Sequence, residues 1–439
     1  MGSQLEGNLV CASGNAIGFR GSRAHVYAGD GNALRGTFHP FWHCLGVASL
    51  ATPPLIWLRT PAIYEGRCLD ALSVRERLEM LTPEMFGTSM KTLIIGMGAL
   101  GGLIAARLRA AGLPVWLATR DAEQADRLRA SGLRVTGMGG AVTVQATAVA
   151  PWDAYGADDK FELVLLATKA HDAIEAAPRL SLLLGPNATL LPIQNGGVPQ
   201  MLAERLGNCV LGGLSNLGAT MEAPGIYEQR NAGHLLIGEL AGGESERTER
   251  VHRWLERAVE VRATRNLRGA VWSKLLVNCS VTTIGAIAGG TMRGYMASPE
   301  GSELFNRTYD EALSVALATG AQPEPMLVEP IPPGWHADGI ASEGRDAWIA
   351  KVLTAYGDVT PSMLQDFRRG RRTEIEFING YVVNMAREVG LDAPINAAIV
   401  ETVHAITSGR FAPNPRLLVQ VLRARTHNDQ HHGKTASMS

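Results

Sequence analysis

From Lys91 onward, short apolar runs alternate with segments of helical spacing, and few folds accept that order. Thr92–Ile95 reads as a strand, 99–111 as a helix ending at Gly112, 114–119 as a second strand, and 122–130 as a helix ending near Gly132. Strand-like segments follow at 133–136 and 141–149. The run FELVLLAT, 161–168, is apolar at almost every position, the pattern of a strand covered on both faces. Helical spacing returns at 173–184, another buried strand at 189–193, further strands in 209–240, and a helix at 244–259. Parallel strands need crossovers, and a helix after each strand supplies them, so the alternation predicts a doubly wound parallel sheet.

Beyond about residue 265 the pattern changes to longer helical stretches near 270–288, 302–319, 347–353, 374–389 and 393–408. The segment QPEPMLVEPIPPGW, 322–335, interrupts them, since its prolines remove donors and crowd the preceding turn. The expected organisation is therefore an N-terminal Rossmann-type doubly wound parallel sheet over 90–265, followed by an all-helical C-terminal part over 266–425. Residues 1–89 hold no lysine and no sustained period before about 72–80, whereas MKTLIIGMGALGG from Met90 reads like the first line of a protein. We read 1–89 as a disordered or misassigned N-terminal extension, with an accessory or targeting segment as the alternative, and 426–439 as a disordered polar tail.

Composition narrows the function classes. Basic and acidic residues number 41 and 42, for a net charge of −1, which argues against a general nucleic-acid or membrane-surface binder. The five cysteines are odd in number and form no CxxC, so no disulfide framework or metal cluster is expected. No run offers ~18 uninterrupted apolar residues, and the start lacks a basic region before an apolar core. The expectation is a cytoplasmic protein without a membrane span.

Gly96-Met97-Gly98-Ala99-Leu100-Gly101 fits GxGxxG, a weak pattern alone that gains weight by following a strand and opening a helix. Gly96 suits the tight turn, Gly98 the approach of a pyrophosphate, and Gly101 close helix–strand packing, while the helix N-terminus attracts the anion. An NAD site usually places an acidic residue ~20 residues further on, to bind the ribose hydroxyls. Here Thr119-Arg120 stands at that point, and Arg120 can pair with a 2′-phosphate, which favours NADP(H). A shift of one residue would put Asp121 there instead and restore NAD(H).

Lysine is scarce: only positions 91, 160, 169, 274, 351 and 434 carry it. Lys169 ends a buried strand in LLATKAHD, at the sheet edge where open α/β sheets bind ligands, and Asn195 ends the next one. Lys274 interrupts the apolar WSKLLVNC segment, and on a helix Lys274, Asn278 and Thr282 share one face at i, i+4 and i+8. A buried ammonium must be paired and gives up its proton readily, which suits proton donation; a snorkelling surface lysine is the alternative. Glu374 is the natural partner, and the neighbouring run Arg368-Arg369-Gly370-Arg371-Arg372 is flanked by Asp366, Glu374 and Glu376, unlike a nucleic-acid patch.

The glycine motif, ATKAHD, QNG, WSKLLVNC and SMLQDFRRGRRTEIEFING, in this order across 90–425, resemble the ketopantoate reductase (2-dehydropantoate 2-reductase) family. The resemblance implies a 6-phosphogluconate-dehydrogenase-like arrangement of a Rossmann domain and a helical domain, with the site in the cleft. It implies NADPH-dependent reduction of 2-dehydropantoate to (R)-pantoate, in pantothenate biosynthesis. It makes Lys274 the general acid and Glu374 the residue that orients it and keeps it charged. Asn278, Ser362 and Thr282 would bind substrate. Gly96, Met97, Gly98, Ala99, Leu100, Gly101, Arg120, Lys169 and Asn195 would bind cofactor. Family members usually carry a second asparagine where this chain has Thr282-Thr283, so a paralogue acting on another small 2-oxo acid or polyol stays open, as does a non-catalytic NADP(H) sensor. The implied partner is a small 2-oxo acid, with no nucleic acid, membrane or metal, and the chain would be a monomer or homodimer.

Overall fold

The computed structural model describes residues 90–331 and 341–423, together with the backbone of five short strands among the first 89 residues. The chain divides into two units, Met1–Ser89 and Met90–Ser439. In the first, Ala16–Arg20 pairs with Asn8–Val10 and with Arg23–Val26, and Ile63–Tyr64 pairs with Arg67–Cys68. Those strands apart, the expected extension lies outside the described residues, as does the tail 426–439.

The second unit is built on five parallel strands in the spatial order Val149–Pro151, Val115–Thr119, Thr92–Ile95, Phe161–Leu166, Leu184–Pro192. The first strand in sequence lies at the centre and is wholly buried. From it the chain winds outward to one side, then returns to add Phe161–Leu166 on the other. The strand order reverses between these two, which opens a crevice at their carboxyl ends. This is the doubly wound Rossmann-type sheet. Gly212–Ser215, Leu235–Gly238 and Val261–Ala263 form a further three-stranded sheet, tied to the main one by the Leu211 N–H donating to the Leu190 carbonyl (2.9 Å). Ala219–Ala223, Ile226–Gln229, Leu133–Gly137 and Val142–Val144 make a four-stranded sheet.

The expected strand 141–149 is thus two strands in two sheets. Ala148 is the cause: its φ of +51° turns the chain between them, a conformation that alanine rarely takes. The expected helix 374–389 is also divided. Ile375–Phe377 is a single 3₁₀ turn, Ile378 breaks it at φ −109°, ψ −95°, and the α-helix runs only over Asn379–Glu388. Two short helices, Val198–Leu206 and Ser362–Arg368, were not expected.

The remaining helices pack around a second core that includes Trp272, Leu276, Phe305, Val382 and Ile399. At its centre runs Leu267–Ala288, long and apolar enough for a membrane span, yet with 78% of its apolar window buried in the protein. Its apolarity belongs to a core helix. It is not one regular α-helix: Leu267–Val277 and Thr283–Ala288 are α-helical, and Asn278–Thr282 between them is a π turn.

Candidate active site

Three glycines of the first strand–helix turn differ in what a side chain would meet. Gly96 has φ +95°, and a Cβ there would lie 2.7 Å from the Thr168 backbone nitrogen. A Cβ at Gly101 would lie 2.0 Å from the Gly96 carbonyl oxygen. One at Gly98 would meet nothing within 4 Å, so the space over Gly98 is open. Gly98 precedes the helix Ala99–Ala110, whose first turn receives no side-chain cap. Its leading amides therefore face the open space with their donors unspent, alongside the positive end of the helix dipole. A tight turn, an open approach and a close-packed turn of helix fit a bound pyrophosphate. Met97 is buried, and Leu100 packs against the sheet core.

At the end of Val115–Thr119, Arg120 is 87% exposed and Asp121 half so. The Asp121 carboxylate caps the helix Ala122–Ser131, accepting from Gln124 N–H at 2.7 Å, and it also pairs with the Arg120 Nε at 3.0 Å. The Gln124 amide, and after it the Arg120 guanidinium, hold this carboxyl below the usual carboxylate range. Asp121 is thus committed to the helix, and Arg120 is the group that projects into solvent.

The carboxyl ends of the next strands meet the helical part. Lys169 Nζ pairs with Asp366 Oδ2 at 2.9 Å, and Asp366 is almost wholly buried. Glu374 Oε1 accepts from the Ala170 N–H at 2.9 Å, at the start of the helix Ala170–Glu175. Two consecutive residues of the sheet edge are thus held by two carboxylates from the helical part. Asn195 is half-buried at the end of its strand. Beyond it Gly196, at φ +78°, lets the turn pass so close to Phe377 that a Cβ would lie 1.7 Å from the Phe377 carbonyl oxygen. Gln194 Nε2 donates to the carbonyls of Leu166 (3.0 Å) and Thr168 (3.1 Å), joining the two strand ends.

Lys274 stands in the same region. Its Nζ donates to the Ser215 carbonyl at 2.5 Å. Burial lowers its pKa from 10.5 to about 8, and the charge of Glu374 opposes that fall. Asn278 and Thr282 lie one and two turns along and are half-buried, as Lys274 is. The Thr282 hydroxyl donates to the Asn278 carbonyl at 3.0 Å.

Three of the expected site residues have surroundings that spacing alone did not give. Glu374 was expected to orient Lys274 and keep it charged; its charge raises the Lys274 pKa, while its carboxylate bonds the Ala170 amide. Lys169, expected to contact the nicotinamide end of the cofactor, stands at the sheet edge with its ammonium paired to Asp366. Ser362, expected near the substrate, is exposed at the start of Ser362–Arg368. Asp366 and Ser215 are the site residues that sequence reasoning missed. Asp366 gave a weak signal, as an acidic residue three and two places after Met363 and Leu364 on the buried side of its helix, but Ser215 acts through its backbone and gave none.

A parallel sheet with a glycine phosphate loop, joined to a helical part that carries a desolvated lysine, defines the class: a dinucleotide-binding oxidoreductase. The comparisons give the family. The profile described as ketopantoate reductase PanE/ApbA matches residues 92–242, and that of the ketopantoate reductase PanE/ApbA C terminal matches 266–407. The 2-dehydropantoate 2-reductase of Pyrococcus horikoshii is 30% identical over 326 residues, covering 72% of this chain and 97% of its own. A PanE/ApbA family ketopantoate reductase from Ralstonia eutropha superposes with a TM-score of 0.61 at 24% identity, over 73% of this chain and 99% of that one. A D-mandelate dehydrogenase solved with NADH and anilino(oxo)acetate has the same fold, with a TM-score of 0.61, 20% identity and coverage of 73% and 99%. The chain belongs to the ketopantoate reductase family.

Proposed function

We propose that this chain reduces 2-dehydropantoate to (R)-pantoate with NADPH, with Lys274 as the general acid. The observation that carries the reading is the state of Lys274. Its ammonium is desolvated to a pKa of about 8, so it is protonated at neutral pH yet poised to give the proton up. The Ser215 carbonyl takes one of its N–H bonds, which leaves the other protons for the substrate carbonyl oxygen. When bound, the nicotinamide supplies the hydride to the carbonyl carbon. Lys274 supplies the proton to the oxygen, and solvent returns it. The negative charge of Glu374 keeps Lys274 protonated until that moment. Asn278 and Thr282, on the same stripe, would bind and orient the acid together with Ser362.

The glycine turn would hold the pyrophosphate, with Asn195 and the Lys169 strand end near the nicotinamide. The exposed Arg120, beside an Asp121 spent on capping, supports a 2′-phosphate and hence NADPH. Thr282, where the family carries asparagine, favours a second reading: the same chemistry on another small 2-oxo acid. NADPH oxidation against a panel of 2-oxo acids including 2-dehydropantoate separates the two. Lys274→Ala should lower kcat by ~10²-fold or more, with NADPH still bound. Unchanged turnover removes Lys274 from the mechanism.

A further inference from the structure

The π turn Asn278–Thr282 sits between the proposed acid and the last proposed substrate contact, and π turns are uncommon enough to need a cause. Its hydrogen bonds show how it is held. The Thr283 N–H reaches back five residues to the Asn278 carbonyl, which also accepts from the hydroxyls of Thr282 and Thr283, each at 3.0 Å. The next carbonyl, Cys279, accepts a long bond of 3.5 Å from the Asn379 side-chain amide. The next, Ser280, accepts from the buried Tyr295 hydroxyl at 2.7 Å. Three successive carbonyls therefore each receive a side-chain donor, from three separate places in the chain. Asn379 is itself fixed, donating to Asn396 at 2.9 Å, and Asn396 donates to Glu311 at 2.7 Å.

The turn has a geometric consequence. An α-helix advances about 100° per residue, so four residues overshoot a full turn by about 40°. A π turn spends roughly one more residue per turn, near 80° each, and four residues fall short by about 40°. From Lys274 to Asn278 the helix is α, and from Asn278 to Thr282 it is π. The two drifts cancel, so Thr282 returns to the line of Lys274, where a continuous α-helix would put it about 80° away. Burial agrees. Between Trp272 and Ala288 the part-exposed polar residues are Lys274, Asn278 and Thr282, while Ser273, Ser280 and Thr283 are buried.

We propose that the π turn is the positioning device of this site, and that Tyr295, Thr283 and Asn379 are positioning residues that hold it and thereby align Asn278 and Thr282 with Lys274. The inference rests on the functional reading above and adds to it the residues that shape the acid-binding stripe. None of the three is placed in contact with the reacting atoms. Their loss should therefore act on the affinity for the acid more than on the cofactor.

The test compares Tyr295→Phe and Thr283→Val, near-isosteric changes that each delete one donor, with Tyr309→Phe. Tyr309 is another buried tyrosine of the helical core, whose hydroxyl accepts from the Ile331 N–H rather than bonding a carbonyl of the turn. A lost buried hydrogen bond corresponds to about a five- to tenfold change. The expected result is that each of the first two variants raises KM for the 2-oxo acid by that factor. Each should weaken pantoate binding to the NADP⁺-loaded protein similarly by calorimetry, with NADPH affinity within twofold of the unaltered chain. Tyr309→Phe should change neither. Unaltered KM and pantoate affinity in both Thr283→Val and Tyr295→Phe, or an equal change in Tyr309→Phe, overturns the inference. If Tyr295→Phe fails to fold, Thr283→Val decides alone. An unaltered chain inactive on every 2-oxo acid overturns the functional reading and the inference with it, whereas an active chain with indifferent variants overturns the inference alone.

Discussion

Replacing Glu374 by glutamine isolates one electrostatic effect. Glutamine keeps a carbonyl oxygen to accept from the Ala170 amide, so the bond that joins the helical part to the sheet edge survives. The negative charge is lost, and it is the one influence that raises the Lys274 pKa against its burial. In the unaltered enzyme Lys274 titrates at about 8. As the proposed general acid it must be protonated, so it should be about nine-tenths active at pH 7, half active at pH 8 and about one-tenth active at pH 9. The ratio kcat/KM for the 2-oxo acid should therefore fall about tenfold from pH 7 to pH 9. A lysine at its ordinary 10.5 would leave that window almost flat. In Glu374→Gln the falling limb should move to lower pH, so that the variant loses more activity at pH 8 than at pH 6. The assay is NADPH oxidation across the pH series at saturating cofactor, since kcat/KM reports the free enzyme's ionisations. A flat profile in the unaltered enzyme, or a limb in the variant at the same or higher pH, refutes the reasoning.

Three other outcomes follow from the same geometry. Lys274→Met should stabilise the fold at pH 7 while abolishing turnover. Its pKa is lower folded than unfolded, so the charged form costs stability below about pH 8, and that cost fades as pH rises from 8 towards 10.5. The gain should be about 1–3 kcal/mol after discounting for partial exposure, read as a Tm difference that narrows by pH 10. Arg120→Ala should weaken NADPH far more than NADH in fluorescence titrations, and equal losses would remove Arg120 from 2′-phosphate recognition. Asp366→Asn should lower stability to urea by about 1–2 kcal/mol, because it weakens a charge-assisted bond whose acceptor is buried. No change would mean that Lys169 is satisfied by solvent.

The sheet was legible because a strand buried on both faces has little freedom in composition, as FELVLLAT shows, and because the crossover helices fall between such runs. The glycine turn was legible because close packing demands glycine at Gly96 and Gly101, and Gly98 between them leaves an open approach. The stripe of Lys274, Asn278 and Thr282 was legible from spacing, but for an incomplete reason. The i, i+8 relation holds only because the π turn removes the drift, and nothing in WSKLLVNCSVTT signals that turn. The split of 141–149 was hidden because Ala148 takes a positive φ with no glycine or asparagine to announce it. The partners of Lys169 and Ala170 were hidden by separation, at 197 and 204 residues along the chain. One of these bonds ends on a backbone amide, which any residue would offer.

The junction also accounts for the arginine run. Asp366 and Glu374 bracket it, and both turn inward, to Lys169 and to the Ala170 amide. With its two ends anchored on consecutive residues, the segment between them must loop outward. Arg368, Arg369, Arg371 and Arg372 are accordingly exposed, and Arg372 pairs with Glu175 at 3.1 Å on the rim. The cluster is therefore the outer face of a clamp whose function lies on its inner face. The clamp and the proposed proton donor share a residue. Glu374 caps the helix that starts beside Lys169, and its charge supports the protonation of Lys274. Any loosening of the junction that withdraws Glu374 also lowers the proton affinity of Lys274. The proposed acid is therefore most fully protonated while Glu374 stays at the junction, so the protonation of Lys274 depends on a carboxylate that also joins the sheet and helical parts.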